Sequence, residues 1–367
     1  MTDIALFKAI RPIRDKVHLV ATRPYYSYKK NVLQAKLQDN PYTFLRIINP
    51  EFNSEIKTKP NSDERFKLVG QRYQEFIDRG ILIEEESHRL YIYRQTTRHH
   101  SCVGVIGGAS IKEYMNDEIK KHEATLTSRE AMFTRYLEIV GYNAEPVLIS
   151  YKGNNTINDS LTKLTEERPE YEFSTTDQIK HELWTLNEQH SKELQDHFKS
   201  IPCSYIADGH HRSASSARLH QKNENTFPNS NYFLSYFVEE KQLRILEFNR
   251  LVKTLNGLTE NEFIQKISAI GQVDKLTKTS KPSHEHHIHF FVEEQWYKLV
   301  LDTKLINNLD PVKCLDSSIL TESVLSPILG IEDLKTSREI DFLPGIFSIC
   351  LLYTSPSPRD QRGSRMP

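Results

Sequence analysis

Tyr205-Ile206-Ala207-Asp208-Gly209-His210-His211-Arg212-Ser213-Ala214-Ser215-Ser216-Ala217-Arg218-Leu219 is the stretch on which the fold reading turns. Tyr205-Ile206-Ala207 reads as a short strand of the buried type, and Gly209 as a turn residue free to take unusual backbone angles. Ser213 to Leu219 reads as the small-residue start of a helix. Strand, tight turn and helix in that order predict an α/β or α+β protein, with mixed sheets and flanking helices. A helix start offers amide N–H groups and the positive end of a dipole, so phosphate is the ligand this corner suits. Arg212 can grip two phosphate oxygens at once, Asp208 can hold Mg2+ or orient a histidine, and His210 and His211 titrate near neutrality. Gly209 and Ser213 complete the phosphate-binding set. The bland reading makes the same residues a cap, a turn and a solvated corner, and short motifs match by chance often.

Working outward, Ile4 to Pro12 is short and mixed, and Asn40-Pro41 reads as a turn leading into a strand over Tyr42 to Ile48. From Asp63 to Arg79, Phe66, Val69, Tyr73, Phe76 and Ile77 recur at helical steps, and Gly80 stands where a helix stops. Leu90 to Gln95 and Cys102 to Gly108 predict paired strands, Ser128 to Val140 a helix, and Pro146 to Tyr151 a further strand. Lys152-Gly153-Asn154-Asn155 breaks that strand, which sets the expected boundary between a region 1–151 and a region 152–349. Thr176 to Trp184 and Ser191 to Ser200 are expected to hold helical segments. Hairpins are expected from Tyr232–Glu239 with Leu243–Phe248, and from His287–Glu293 with Trp296–Leu301.

Of the 367 residues, 38% are hydrophobic and 26% charged, enough for two domains' worth of core. Basic and acidic residues balance at 48 and 49, so no global field draws in nucleic acid or an anionic membrane. A nucleic-acid partner is therefore disfavoured. The first twenty residues lack a charged stretch followed by a long apolar run, and nowhere do about 18 apolar residues follow one another. A cytoplasmic protein with no membrane partner is the expectation. Cys102, Cys203, Cys314 and Cys350 are far apart, with neither CxxC nor zinc spacing. The run His284-Glu285-His286-His287-Ile288-His289 reads as edge-strand histidines rather than a metal cluster, and Gly107-Gly108 lacks the GxGxxG spacing. From Cys350 the chain turns to Ser, Pro and Arg without apolar period, which predicts a disordered tail over 350–367. That tail resembles the conceptual translation of a sequencing-adapter read-through, and the resemblance implies a C-terminally truncated chain that naturally continues past about Ile349 with other residues.

A second constellation sits at His122-Glu123. A carboxylate beside an imidazole can act as general base for a hydroxyl, with Thr125 and Arg129 adding a hydroxyl and a cation. Alternatively Glu123 and Thr125 cap the helix that follows, while Lys120 and Lys121 face water. Arg94 and Gln95 are further candidates for contact with a substrate, or else polar residues of a strand edge.

The turn Asp208 to Arg212, flanked by Tyr205-Ile206-Ala207 and Ser213-Ala214, resembles the signature of the family catalogued as domain of unknown function 1015. Other blocks match it in order: Phe7-Lys8-Ala9-Ile10-Arg11-Pro12, Asn40-Pro41-Tyr42, Tyr93-Arg94-Gln95, Ile119-Lys120-Lys121-His122-Glu123 with Thr125, and Leu315 to Gly330 with Ile340-Asp341-Phe342. The resemblance covers residues 4 to 349. The same turn is similar to the phosphate-gripping turn of the ParB and sulfiredoxin superfamily, to which a free serine kinase belongs. That likeness implies a ParB/sulfiredoxin-like core element and phosphate or nucleotide binding over Asp208 to Ser213. The function so implied is a phosphotransferase assisted by Mg2+, using ATP or ADP, on a small hydroxylated metabolite such as serine or phosphoserine. A phosphatase using the same groups, and a nucleotide-binding switch or scaffold without turnover, are the alternatives. In this scheme Arg212 and the helix start hold phosphate, Asp208 helps the metal, and Glu123, His122, His210 or His211 takes the proton.

Overall fold

Buried Ile92, Val105, Ile149 and Phe237 lie on the strands Tyr91–Thr96, Ser101–Ser110, Val147–Tyr151 and Tyr232–Glu239, which form the middle of a mixed sheet. The computed structural model describes residues 2–122, 127–222, 230–278, 281–306, 310, 312–334 and 337–344. Among these residues the sheet has nine strands. Its order is Ile119–Lys120, Ser204–Asp208, Val147–Tyr151, Tyr232–Glu239, Ser101–Ser110, Tyr91–Thr96, Lys180–Thr185 and Tyr171–Ser174, with Ile4–Ala5 also paired to Ser101–Ser110. Two neighbouring pairs are parallel: Ile119–Lys120 with Ser204–Asp208, and Val147–Tyr151 with Tyr232–Glu239. The other pairs are antiparallel. This is the mixed sheet with helices that the sequence leads one to expect.

Helices close the core of this sheet. Ile157 and Leu161 of Asn155–Leu164, Leu194 and Phe198 of Glu188–Phe198, and Ala217 of His210–Lys222 join the buried strand residues in one cluster. Side-chain caps start two of them, with Asn154 accepting from the Ile157 amide and Asn187 from the His190 amide. The hydroxyl of Ser191, fully buried, accepts a 3.1 Å bond from the Leu90 amide and so ties the Glu188–Phe198 helix to the sheet. The helix Asp63–Asp78 forms where its apolar period requires, capped by Ser62 and ended at Gly80, whose φ of 65° suits glycine. Its Phe66, Val69 and Phe76 pack with Ile47 and Val140 in a separate cluster.

The chain divides into two compact units, Met1–Arg244 and Ile245–Pro367, so the division falls well after Lys152–Asn155. The physical reason is the sheet itself: Val147–Tyr151, which precedes that break, pairs on both sides with strands that follow it. The second unit has its own core around Phe263, Ile267, Leu299, Leu301 and Ile331. It contains the helix Glu260–Ser268, started by a reciprocal Thr259–Glu262 capping box, and a sheet ordered Gly271–Leu276, Gln295–Leu301, His287–Val292. A further pair joins Phe248–Val252 to Ile340–Pro344. The suspected tail from Cys350 lies outside the described residues. Among the described residues no helix is long and apolar enough to cross a membrane.

Several local expectations are corrected. Leu45–Ile48 is a single helical turn rather than part of a strand, because Leu45 and Ile47 are both buried from within it and imitate strand alternation. Lys180–Thr185 is a strand where Thr176–Trp184 suggested helix: Thr175 and Ile179 close a turn with Gln178 at φ 62°, and buried Glu182 and Trp184 alternate with more exposed neighbours. The expected hairpin around Glu240-Lys241-Gln242 does not form, since Leu243–Glu247 is not a strand, Ile245 is fully exposed, and Phe248–Val252 pairs with Ile340–Pro344 instead. The hairpin of His287–Val292 with Gln295–Leu301 does form.

Candidate functional site

Parallel pairing builds the corner. Ser204 lies opposite Ile119 and Tyr205 opposite Lys120, so the two chains leave the sheet in the same direction, one towards His122 and the other towards Asp208-Gly209-His210. Two sequence blocks more than eighty residues apart therefore end beside each other. Their contact is direct: the His122 ring meets the His210 ring edge-on, with centroids 4.4 Å apart at 82°. His122 is exposed, whereas His210 is only 5% exposed.

A register shift between Ile206 and Asp208, against Val147–Tyr151, re-aims the end of the signature strand. The strand is half-buried rather than of the buried type: Ser204 and Ile206 are inside, Tyr205 is 49% exposed and Asp208 points outward. Gly209 follows at φ 101°, a left-handed value that a side chain resists. A methyl group there would also stand 3.1 Å from the Arg212 guanidinium, which folds back over the glycine. The helix begins at His210, three residues before the expected start, and the Gly209 carbonyl accepts both the Arg212 and Ser213 amides.

Arg212 is fully engaged. Its Nη2 donates to Asp208 Oδ2 at 2.6 Å, its Nη1 donates to the Pro146 carbonyl at 2.7 Å, and Glu145 stands 3.4 Å from Nη1. Neither Glu145 nor the Pro146 carbonyl was visible as a site residue in the sequence. Proximity came from the antiparallel neighbour strand, which begins at Val147.

The serines after Arg212 pack inward. Ser213, Ser215 and Ser216 are buried, and their hydroxyls bond back to His210, His211 and Arg212 carbonyls. Thr134 of the helix Thr127–Val140 donates to the Ser215 carbonyl at 3.3 Å, so small residues here allow two helices to approach. The Ser213 hydroxyl also bonds Tyr114, whose phenol is pushed up by burial against the smaller opposing effect of that bond. Ser213 thus has neither hydroxyl nor amide left over for an anion. His211 is half-buried, and its Nδ1 is enclosed without a hydrogen-bond partner.

The remaining candidates scatter. Glu123 and Thr125 lie outside the described residues. Arg129 is exposed in the first turn of Thr127–Val140. Arg94 and Gln95 sit on Tyr91–Thr96, four strand spacings from the signature strand, about 19 Å by the usual spacing of neighbouring strands. Arg94 is there a structural ion: it grips buried Glu182 through two bonds of 2.7 and 2.9 Å and lies over the Trp184 ring. That pairing, chiefly the Arg94 bonds, holds the Glu182 carboxyl below its usual range. Among the described residues, no group of three or more His, Cys, Asp or Glu could hold a metal. His286 of the histidine run is instead held by Asp316, Nδ1 to Oδ1 at 2.8 Å. Cavities of about 410 and 340 Å3 lie elsewhere, around Arg14 and Arg168, and neither is lined by the signature.

Comparison with protein-family models matches residues 4–318 to the family described as "Protein of unknown function (DUF1015)". The chain belongs to this family. No curated protein and no solved structure matches it. The match spans the His122 block, the signature turn and the strands that bring them together, and it reaches past Arg244 into the second unit.

Proposed function

We propose that this member of the family handles phosphate at the Asp208–Arg212 corner, as a phosphotransferase acting on a small hydroxylated metabolite such as serine or phosphoserine. One observation carries the reading: parallel pairing of Ile119–Lys120 with Ser204–Asp208 puts His122 on His210 at the carboxyl ends of two neighbouring strands. In open α/β sheets that is where ligands bind. The likeness of the turn to the phosphate-gripping turn of the ParB and sulfiredoxin superfamily supports the same reading.

The Asp208–Arg212 pair gives the proposal its chemistry. Arg212 is held by its own chain, so phosphate enters by taking the guanidinium over from Asp208 and Glu145. The exchange frees the Asp208 carboxylate at the same moment. One exposed carboxylate fits Mg2+ only alongside phosphate oxygens and water, the usual mode for that ion. Bound there with ATP or ADP, Mg2+ would supply charge neutralisation on the phosphate oxygens. His122, exposed beside buried His210, takes the proton of the attacking hydroxyl, with Glu123 as the neighbouring base.

Incubation with ATP or ADP, Mg2+ and serine or phosphoserine, followed by phosphorus NMR, tests this. A transferred phosphoryl group is expected, and Arg212→Ala is expected to lower the rate by about a hundredfold or more. Phosphate released to water would indicate a phosphatase. The self-neutralised Arg212 also favours a second reading, a switch in which nucleotide exchanges the ion pair without turnover, and nucleotide binding with no product would select it.

A further inference from the structure

We propose a second ligand site at the opposite edge of the large sheet, a cleft between Arg14 and Arg168 that takes a small molecule bearing a carboxylate or phosphate oxyanion. Two compartments of about 410 and 340 Å3 share Arg14, Arg168, Pro169 and Glu170 as walls. Each is of a size that holds a metabolite.

The charges around the cleft divide into used and unused. Arg11 is consumed by Glu85, Glu170 and the Tyr171 hydroxyl. Arg89 bonds Ser87 at 2.9 Å and lies 3.7 Å from Glu85, while Glu172 is taken by Lys180 at 2.8 Å. Arg14 and Arg168, by contrast, have neither an ion pair nor a hydrogen bond from their side chains among the described residues, although both face the same cleft. Neither guanidinium is paired, and a ligand oxyanion between them can bond both; the Glu167 carboxylate, which lines the second compartment only, is likewise unpaired among the described residues.

Their backbones are fixed even though their heads are not. Arg14 follows Ile13, whose amide bonds the Ile81 carbonyl at 3.0 Å. Arg168 stands between two anchors: the Glu167 carbonyl accepts the Trp184 indole N–H at 2.7 Å, and Glu170 is held by Arg11. The cleft is therefore pre-formed at the main chain, which lowers the ordering cost of binding to that of two side chains. Tyr171 and Trp184 line it with aromatic surface, buried at the wall.

Isothermal titration with inorganic phosphate and, separately, with succinate tests the site and distinguishes the two oxyanion sources. Each ligand is titrated into the full chain, into Arg14→Ala and Arg168→Ala, into Arg98→Ala as a control at an exposed residue of the loop after Tyr91–Thr96, and into Arg212→Ala to separate binding at the signature corner. The expected result is binding of at least one ligand that is weakened about tenfold or more by each cleft variant, roughly 1.4 kcal/mol per decade, is unchanged in Arg98→Ala, and persists in Arg212→Ala, where only binding at the signature corner is lost. Arg14 and Arg168 are exposed and without side-chain partners among the described residues, and thermal melts without ligand check that the variants stay folded. Absence of binding by both ligands, or binding that survives in both cleft variants, overturns the proposal. Phosphate binding lost only in Arg212→Ala also overturns it, and would leave the reading of the signature corner intact.

Discussion

At the Ile119–Lys120 end of the large sheet, Arg212 is saturated by Asp208, Glu145 and the Pro146 carbonyl; at the Tyr171–Ser174 end, Arg14 and Arg168 face a cleft with no side-chain partner among the described residues. The first end is dense in motif and the second almost without one. What differs is who supplies the counterion. An arginine paired within its own chain binds a ligand only by exchange, which weakens binding and couples it to the release of a carboxylate. An unpaired arginine in a cleft binds without such exchange, and its affinity follows from charge alone. Residue types are legible in a sequence, whereas this difference resides in pairings made across strands.

The largest effect that would break the comparison concerns turnover. Loss of phosphoryl transfer in Arg212→Ala, about a hundredfold or more, with Arg14→Ala and Arg168→Ala unaffected, keeps chemistry at the first end. Equal losses at both ends, in a phosphorus NMR assay, would merge them.

Next comes stability. Arg94→Ala leaves Glu182 buried with only Lys180 beside it, 3.1 Å away, and is expected to destabilise the first unit by about 2–4 kcal/mol in denaturant melts. The carboxyl of Glu182 is depressed, so the stabilisation is present above the unfolded carboxylate range and fades as pH falls through the folded value. Arg94→Ala should therefore differ from wild type less at pH 3 than at pH 7. An unchanged melt at pH 7 would return Arg94 to the list of ligand contacts.

Gly209→Ala sharpens the signature end. Its φ of 101° and the guanidinium 3.1 Å away predict a loss of about 1–2 kcal/mol together with a displaced Arg212. Weakened nucleotide binding out of proportion to the stability change would show that the fold-back of Arg212 matters to the ligand.

The smallest effect is Glu113→Gln, in the helix Ile111–Met115 that packs on the signature helix and the Ile119–Lys120 strand, where its carboxylate bonds the Asp3 amide rather than a site residue. Burial pushes the Glu113 carboxyl up to about 7, while the Asp3 amide at 2.9 Å opposes the rise. Its folded value lies above the unfolded one, so the contribution is fully present below about pH 4.5 and lost as pH rises through 7. Thermal melts at pH 8 should favour the glutamine variant by about 1 kcal/mol, with little or no advantage at pH 5. The reverse order would show the carboxylate to be stabilised as an anion.

Much of the fold was open to reading. The helix over Asp63–Asp78 and the paired strands Tyr91–Thr96 and Ser101–Ser110 are written in apolar period, Ser62 and Gly80. Lys180–Thr185 was hidden because one of its two buried residues is Glu182, which a polarity pattern counts as outside until its bonds to Arg94 are seen. Leu45 and Ile47 misled in the opposite direction, two steps apart yet both buried from one helical turn. At the candidate site, the types and order of Asp208, Gly209, His210 and Arg212 were legible, but the meeting of His122 with His210 depends on a parallel pairing that two short strands do not announce. Ser213 was read as part of a phosphate-binding set, and its run of small residues makes room for the Thr127–Val140 helix.

Titration of ADP with Mg2+ into the wild-type chain, Arg212→Ala, and the Arg14→Ala/Arg168→Ala double variant tests the central claim most directly. The account predicts binding to wild type and to the double variant with similar affinity, and a loss of about thirtyfold, near 2 kcal/mol, in Arg212→Ala. Equal affinity in Arg212→Ala and wild type would contradict it.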